Sequence, residues 1–157
     1  MNLLFLLALM IGDGQPDYRL SMFSYAEHSI FCFSSDKEVV TLSWYPRGKL
    51  RWTGSQPGMN LDYDNSVKRA ESMGYRVRHD GTYRIDKAIF EAAKRQRDRL
   101  DSGQIAYRKS DLFTRSNAVN CRGAILAIVK PRPLALPYSG SAANRCMAEW
   151  WGLELVK

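Results

Sequence analysis

The sequence is poor in the residues that hold metal ions and disulfide frameworks. It has only 2 histidines and 3 cysteines, and no two cysteines stand in Cys-x-x-Cys spacing. The histidines, His28 and His79, are far apart in the chain, so no zinc ligand set is predicted. An odd number of cysteines excludes a complete disulfide framework and leaves at least one thiol free or paired between chains. We therefore predict no metal and no other cofactor.

The sequence also lacks an apolar run long enough to cross a bilayer, which takes about 20 residues. Residues 1–16 form an apolar N-terminal segment, and its run over residues 1–11 has the length of a signal-peptide core. No Lys or Arg precedes this run and no Ala-x-Ala site follows it. Two interpretations stay open, a signal for export or the first element of the core, and neither is a transmembrane span.

Charge limits the class of partner. The chain has 23 Lys and Arg against 16 Asp and Glu, a net charge of +7, which favours an anionic partner. Nucleic acid, a cell-wall polymer and acidic lipid head groups all fit this charge. The basic residues are spread along the chain between Arg47 and Arg145 instead of forming one tract with aromatic residues. Nucleic acid is therefore not the predicted partner.

Hydrophobic patterning predicts one α+β domain over residues 17–157. A chain of 157 residues with 45% hydrophobic content is long enough for one packed core. Predicted strands cover residues 18–24, 28–33 and 39–45, a small hairpin surrounds residues 79–81, and a loop rich in Gly and Pro covers residues 47–60. Predicted helices cover residues 64–73, 86–100, 121–129 and 141–151. We expect a small antiparallel sheet packed against helices.

Cys121 and His28 are the candidate catalytic residues. Cys121 opens an apolar helix, where unpaired N–H groups and the helix dipole stabilise a thiolate. An imidazole such as His28, at the head of a strand, can hold the thiol proton. The alternatives are a core thiol and a hydrogen-bonded strand histidine. His79 is the alternative base, but it lies in a predicted tight turn, where histidines are usually exposed.

Three short stretches resemble the circularly permuted NlpC/P60-like branch of the papain-like cysteine peptidases and amidases. They are Glu27-His28-Ser29-Ile30-Phe31, Ser43-Trp44-Tyr45-Pro46 and Asn120-Cys121, in that order. Members of this branch have a His at the start of a hairpin, an aromatic-Tyr-Pro corner after the next strand and an Asn-Cys pair opening the nucleophile helix. The chain departs from the pattern at Glu27 and Ser29, and an aromatic residue that often follows the nucleophile is lacking.

The resemblance implies a papain-like fold and assigns roles to the matching residues. Cys121 is the expected nucleophile and His28 the expected base. A third polar group, which fixes the imidazole tautomer, is expected on the strand after His28, where Thr41 and Ser43 are the candidates. We expect Asn120, Trp44 and Tyr45 to contact substrate.

The predicted function is hydrolysis of a peptide amide bond in bacterial peptidoglycan, or in another anionic envelope substrate, by a cysteine amidase or endopeptidase. Such an enzyme acts in the envelope or periplasm or is secreted. If it is a toxin, it stays in the cytoplasm before delivery and has an inhibitory partner protein. Two alternatives stay open. One is a lipid acyl hydrolase or acyltransferase of the permuted papain-like type, and the other is a non-catalytic basic binding module on the same scaffold.

Overall fold

The structure, a computed structural model, describes residues 17–51, 54–109, 118–128 and 136–156. The apolar N-terminal segment at residues 1–16 lies outside the described residues, as does the predicted end of the Cys121 helix at residue 129. The described strands are β1 (Arg19–Tyr25), β2 (His28–Ser34), β3 (Val39–Leu42), β4 (Trp44–Pro46), β5 (Gly58–Asn60), β6 (Arg78–Arg84), β7 (Ala106–Tyr107), β8 (Ala118–Val119) and β9 (Glu154–Leu155). The described helices are α1 (Tyr63–Ser72), α2 (Lys87–Asp101), α3 (Cys121–Leu126) and α4 (Gly140–Trp150).

A five-stranded sheet in the order β3-β2-β1-β6-β9 forms the centre of the fold, and its strands pair antiparallel. Strands β1 and β2 are joined by the two-residue turn Ala26-Glu27, with Tyr25 opposite His28. The antiparallel sheet and the helices packed against it confirm the predicted α+β class. The predicted first two strands and the placement of His28 at the head of the second are confirmed as well.

The predicted strand over residues 39–45 is divided in two. The main sheet ends at Leu42, and after Ser43 the chain pairs with β5 in a separate two-stranded sheet. Asn60 stabilises the division, because its side chain accepts from the N–H of Ser43 at 2.8 Å and donates to the carbonyl of Thr41 at 2.9 Å. Strand β5 lies within the predicted loop of residues 47–60, so that prediction is wrong for residues 58–60.

The predicted hairpin around residues 79–81 is also wrong, since β6 runs unbroken through them. Gly81 adopts φ of 146°, which a residue with a side chain rarely adopts, and the register with β1 shifts between Met22 and Phe23. A strand with a local irregularity thus has the glycine and polar residues that a turn would also show. Pairing with β1 decides between them.

Both faces of the sheet are buried. Along β1 and β2, alternate side chains point to opposite faces, and all but His28 are buried. One face contributes Leu20, Met22, Phe31 and Phe33 to the larger core, and the other contributes Phe23, Ile30 and Cys32 to a second cluster with Tyr45 and Ala70 of α1.

Each described helix begins after a polar N-cap residue. The side chains of Asp62, Asp86 and Ser139 accept from backbone N–H groups in the first turns of α1, α2 and α4. The predicted helices at residues 64–73, 86–100 and 141–151 are confirmed to within one or two residues. None of the helices in the described part of the chain is long and apolar enough to cross a membrane.

Helix α4 fixes the turn that precedes His28. The N–H of Gly140 donates to the carbonyl of Ala26 at 2.9 Å, and the Asn144 amide donates to the carbonyl of Phe23 at 3.0 Å. A Cβ on Gly140 would lie 2.5 Å from the carbonyl oxygen of His28, so a glycine is needed for this close approach. The C-terminal helix thereby determines where the β1–β2 turn and His28 lie.

Candidate active site

Cys121 and His28, which are far apart in the sequence, line the same cavity of about 430 Å³. The cavity also has a large share of aromatic and apolar side chains in its walls. Its described lining consists of Tyr25, Ala26, Glu27, His28, Leu50, Met73, Tyr75, Tyr107, Lys109, Asn120, Cys121, Arg122 and Tyr138. The fold thus brings together the two residues that the sequence singled out.

Cys121 is the first residue of α3 and is 7% exposed. The parallel pairing of β7 with β8 leads the chain to this position. The Asn120 side chain caps α3 by accepting from the N–H of Gly123 at 2.8 Å, and its amide donates to the carbonyl of Lys109 at 3.3 Å. Both ends of the Asn120 amide therefore have partners in the protein. Asn120 lines the cavity, but its observed role is to hold the helix that carries Cys121.

The His28 imidazole is packed between aromatic rings. It stacks on Tyr45 with ring centroids 4.1 Å apart and planes 18° apart, and its centroid lies 5.1 Å from that of Tyr25. The Tyr25 hydroxyl donates to that of Tyr45 at 3.0 Å. Tyr45 is 4% exposed and does not line the cavity. This placement argues against a substrate contact by Tyr45 and makes it a support for the imidazole.

A chain of hydroxyl groups begins at Nε2 of the His28 imidazole. His28 Nε2 lies 3.1 Å from Ser43 Oγ, which lies 2.9 Å from Ser66 Oγ, and Ser66 Oγ lies 2.7 Å from the carbonyl oxygen of Asp62. The Ser66 hydroxyl donates to both the carbonyl oxygen of Asp62 and Ser43 Oγ. The contact of Ser43 Oγ with His28 Nε2 therefore serves either imidazole tautomer. In the tautomer with its proton on Nε2, Ser43 accepts from Nε2–H and the Nδ1 lone pair is available for the thiol proton.

The surroundings of His28 favour the neutral imidazole. The pKa of the His28 imidazole is lowered from 6.5 to about 3. Burial is the largest cause of this shift, and the positive charges of Arg69 and Arg122 contribute the rest. A neutral imidazole can accept a proton, whereas an imidazolium cannot. The same environment disfavours a standing pair of imidazolium and thiolate, so we expect proton transfer to accompany attack on substrate.

Thr41 and Trp44 do not join the site. The Thr41 hydroxyl lies 3.7 Å from Cys32 Sγ, and that thiol belongs to the second core cluster. The Trp44 side chain is 0% exposed and packs under Gly58, where a Cβ would lie 2.1 Å from the indole ring. Both placements argue against the expected roles, leaving Ser43 as the polar partner of His28 and Trp44 as a core residue.

The predicted loop of residues 47–60 contributes little to this cavity. Leu50 is its only residue among the described lining, whereas Ser55, Gln56 and the residues of β5 line a different cavity of about 640 Å³ beside the end of α2. Among the described residues, this loop therefore contributes no charged side chain to the lining of the cavity that contains Cys121. Lys109 and Arg122 are the described cations of the lining, together with one acidic residue, Glu27.

Sequence reasoning missed Tyr25, Ser66, Arg69 and the role of Arg122. Tyr25 had a usable signal, because a two-residue turn after β1 places it opposite His28. Arg122 had another, since a charged residue inside an otherwise apolar helix start needs buried partners. No comparable signal marks Ser66 or Arg69, because their positions near His28 depend on how helix α1 packs.

The remaining thiols and the second histidine lie elsewhere. Burial raises the pKa of the Cys32 thiol to about 12, which makes it a poor nucleophile. His79 is exposed and its Nε2 lies 2.9 Å from the Thr82 hydroxyl. All three cysteines are free. No group of three or more potential metal ligands occurs within residues 17–51, 54–109, 118–128 and 136–156.

Comparison of the chain with protein-family models, curated proteins and solved structures found no match. The resemblance to the permuted NlpC/P60-like branch therefore stays a prediction, and the geometry of the cavity carries the proposed function.

Proposed function

We propose that this protein is a cysteine hydrolase in which Cys121 attacks a carbonyl carbon and His28 transfers the proton. The observation that carries the proposal is the shared cavity of Cys121 and His28. The contact of Ser43 Oγ with His28 Nε2 supports it, because Ser43 can accept from Nε2–H in the tautomer that has Nδ1 unprotonated. A papain-like fold of the permuted type is part of the same proposal, supported by the order in which the His hairpin and the Cys helix occur.

The reaction proceeds in two halves. First, Cys121 Sγ bonds to the carbonyl carbon while its proton passes to His28 Nδ1, and the tetrahedral oxyanion is held by backbone N–H groups that include that of Cys121. His28 then gives this proton to the leaving amine or alcohol as the carbon–nitrogen or carbon–oxygen bond breaks, which leaves a thioester. In the second half, water attacks the thioester, its proton passes through His28, and the acid and free thiol are released.

A peptide amide of bacterial peptidoglycan is the leading substrate. The net charge of +7 supports an anionic polymer, and the tyrosine hydroxyl groups of the lining suit a polar peptide. An envelope or secreted location belongs to this proposal, as does an inhibitory partner if the protein is a toxin.

A lipid acyl group is the second candidate. Leu50, Met73 and Tyr75 form an apolar part of the lining, and the last two are each 47% exposed at its edge. An acyl chain could pack there.

Digestion of purified sacculi tests the first candidate, and phospholipid vesicles test the second. Wild type should release new muropeptides, seen by chromatography, while Cys121→Ala with an unchanged melting temperature should release none. Release of fatty acid from vesicles without muropeptides would replace the first candidate by the second. Silence in both assays would contradict both enzymatic candidates and favour the binding module.

A further inference from the structure

Arg122, the residue after Cys121, is buried, and both of its terminal nitrogens donate to backbone carbonyls, whereas its Nε has no hydrogen-bond partner among the described residues. It is 6% exposed. Its Nη1 donates to the carbonyl of Pro137 at 2.9 Å, and its Nη2 donates to the carbonyls of Glu27, at 2.9 Å, and Tyr138. A buried guanidinium that makes several hydrogen bonds has one fixed orientation, because each lost bond would leave a buried polar group without a partner.

The acceptors of Arg122 belong to the segments that enclose the site. Glu27 immediately precedes His28, and 95 residues separate it from Arg122. Pro137 and Tyr138 lead into α4, whose first residue, Gly140, binds the carbonyl of Ala26 in the same turn. One side chain on the nucleophile helix therefore contacts the backbone next to the proposed base and the segment that supports it.

We propose that Arg122 is the positioning residue that holds the His28 strand against the Cys121 helix. This inference rests on the proposed function for its meaning in catalysis, but the coupling it describes is measurable without turnover. Arg122 follows Cys121 in the chain and binds the carbonyl of Glu27, the residue before His28. It positions these two candidate catalytic residues and does not itself take part in proton transfer.

Turn geometry shows why the His28 side of the site needs such support. Ala26 adopts φ of 46°, in the left-handed region that an alanine disfavours. A strained residue in a two-residue turn stays in place only when its surroundings hold it. The hydrogen bonds from Arg122 and Gly140 to the two successive turn carbonyls supply that restraint.

Arg69 provides a matched control for charge. Both Arg69 and Arg122 lower the pKa of His28, so both place positive charge near it. Arg69, however, belongs to α1 and lies over the Tyr45 ring, with its guanidinium carbon 4.8 Å from the ring centroid. Its replacement changes the charge near His28 and leaves the bridge between the strand and the Cys121 helix intact.

A double-mutant cycle on Cys121 alkylation tests the proposal. Rates of iodoacetamide labelling at Cys121 are measured by mass spectrometry in wild type, His28→Ala, Arg122→Lys and the double variant, with Arg69→Met beside them. General-base assistance is worth about 10²-fold or more in favourable cases, so we expect His28→Ala to slow labelling at least about tenfold. Arg122→Lys keeps the charge but loses the planar set of donors, and it should label as slowly as His28→Ala. The double variant should label no more slowly than either single variant. In Arg69→Met, the labelling of Cys121 should still depend on His28.

The outcomes separate the two proposals. Coupling here means the loss of Cys121 labelling rate on replacing His28 by Ala. If a folded Arg122→Lys variant shows the same loss as wild type, the role of Arg122 is overturned and the proposed function stands. Lost coupling in Arg122→Lys with no wild-type turnover on any substrate supports Arg122 and counts against the enzyme. Absence of coupling in wild type overturns both.

If Arg122→Lys does not fold, Arg122→Ala is refolded with and without methylguanidinium, which returns planar donors to the carbonyls. Recovery of fast, His28-dependent labelling only with the ion supports the proposal, and its failure in folded protein contradicts it.

Discussion

The two histidines of this chain lie on strands that flank β1 and differ in exposure, in packing and in what they face. His28 pairs with Tyr25 at one end of β1, and His79 pairs with Phe23 on the other side. His28 is stacked on Tyr45, hydrogen-bonded to Ser43 and faces a cavity that contains Cys121. His79 is exposed and contacts the hydroxyl of Thr82 and the ring of Phe23.

The comparison shows that residue type alone does not make a base. An imidazole becomes useful when one nitrogen has a fixed partner and the other faces a nucleophile. Both histidines contact a hydroxyl, but His28 also lines a cavity together with the Cys121 thiol.

Loss of either candidate catalytic residue should abolish turnover. Cys121→Ala and His28→Ala should each lower kcat by about 10⁴-fold or more, and the double variant should be no worse, because residues that act as a unit are not additive. His79→Ala should keep most activity. Steady-state rates on the substrate found with sacculi or vesicles provide the measurement. An inactive His79→Ala variant that is fully folded would reverse the assignment of the base.

The two buried thiols should differ strongly in alkylation. Raising the pKa of Cys32 from 9.0 to about 12 lowers its thiolate fraction at neutral pH by about 10³-fold. Cys121, which lines the cavity, should therefore be labelled first by iodoacetamide in native protein. Mass spectrometry after brief treatment checks this, with Cys146 as an internal comparison. Equal labelling of Cys32 and Cys121 would contradict the assignment of the nucleophile.

Folding stability should fall on mild acidification because of His28. The unfolded chain binds a proton at His28 below pH 6.5, while the folded protein does so only near its lowered pKa of about 3. The stabilisation is thus complete above pH 6.5 and is lost as the pH falls, at about 1.4 kcal/mol per pH unit, or about 2 kcal/mol between pH 6.5 and 5.

Urea unfolding at several pH values measures this loss. His28→Gln should remove most of the slope in that range, whereas His79→Gln should leave it unchanged. A slope that survives in His28→Gln would show that another group causes it.

The hydroxyl chain should have the smallest effect. Ser43→Ala and Ser66→Ala each remove a neutral hydrogen bond worth about 0.5–1.5 kcal/mol, so kcat should fall by up to about tenfold. Thr41→Val is the control, because its hydroxyl meets Cys32 and not His28, and it should keep the wild-type rate. A larger loss in Thr41→Val than in Ser43→Ala would reverse the choice between the two candidates for the third group.

Local patterns predicted the elements that local forces determine. Strand-like composition and helical patterning located β1, β2, α1, α2 and α4 without knowledge of their neighbours. The hairpin predicted around Gly81 failed because turns and irregular strands share the same residue types, and only pairing with β1 distinguishes them. Strand β5 was missed for a related reason, since its Gly and Pro surroundings resemble a loop until Trp44 is seen to pack beneath Gly58.

The candidate site was predictable only in part. Cys121 and His28 were identified from their positions at the starts of a helix and a strand. Ser43 was one of two candidates, with Thr41, that came from the resemblance alone. Trp44 and Tyr45 were expected to meet substrate, but they alternate along a strand whose two sides are both covered. Ser66 and Arg122 depend on contacts between distant segments, which a single sequence does not specify.

The hydrogen bonds that hold the β1–β2 turn also determine when the site can form. Residues 26 and 27 are among the first of the described fold to leave a ribosome, but their partners, Arg122 and Gly140, follow about a hundred residues later. Contacts this distant in sequence form slowly and late. A nascent chain that ends before α4 thus has the His28 hairpin without the restraint on its turn. We expect such chains to be inactive, which would keep a cell that makes this protein from meeting a competent site before synthesis has passed Gly140.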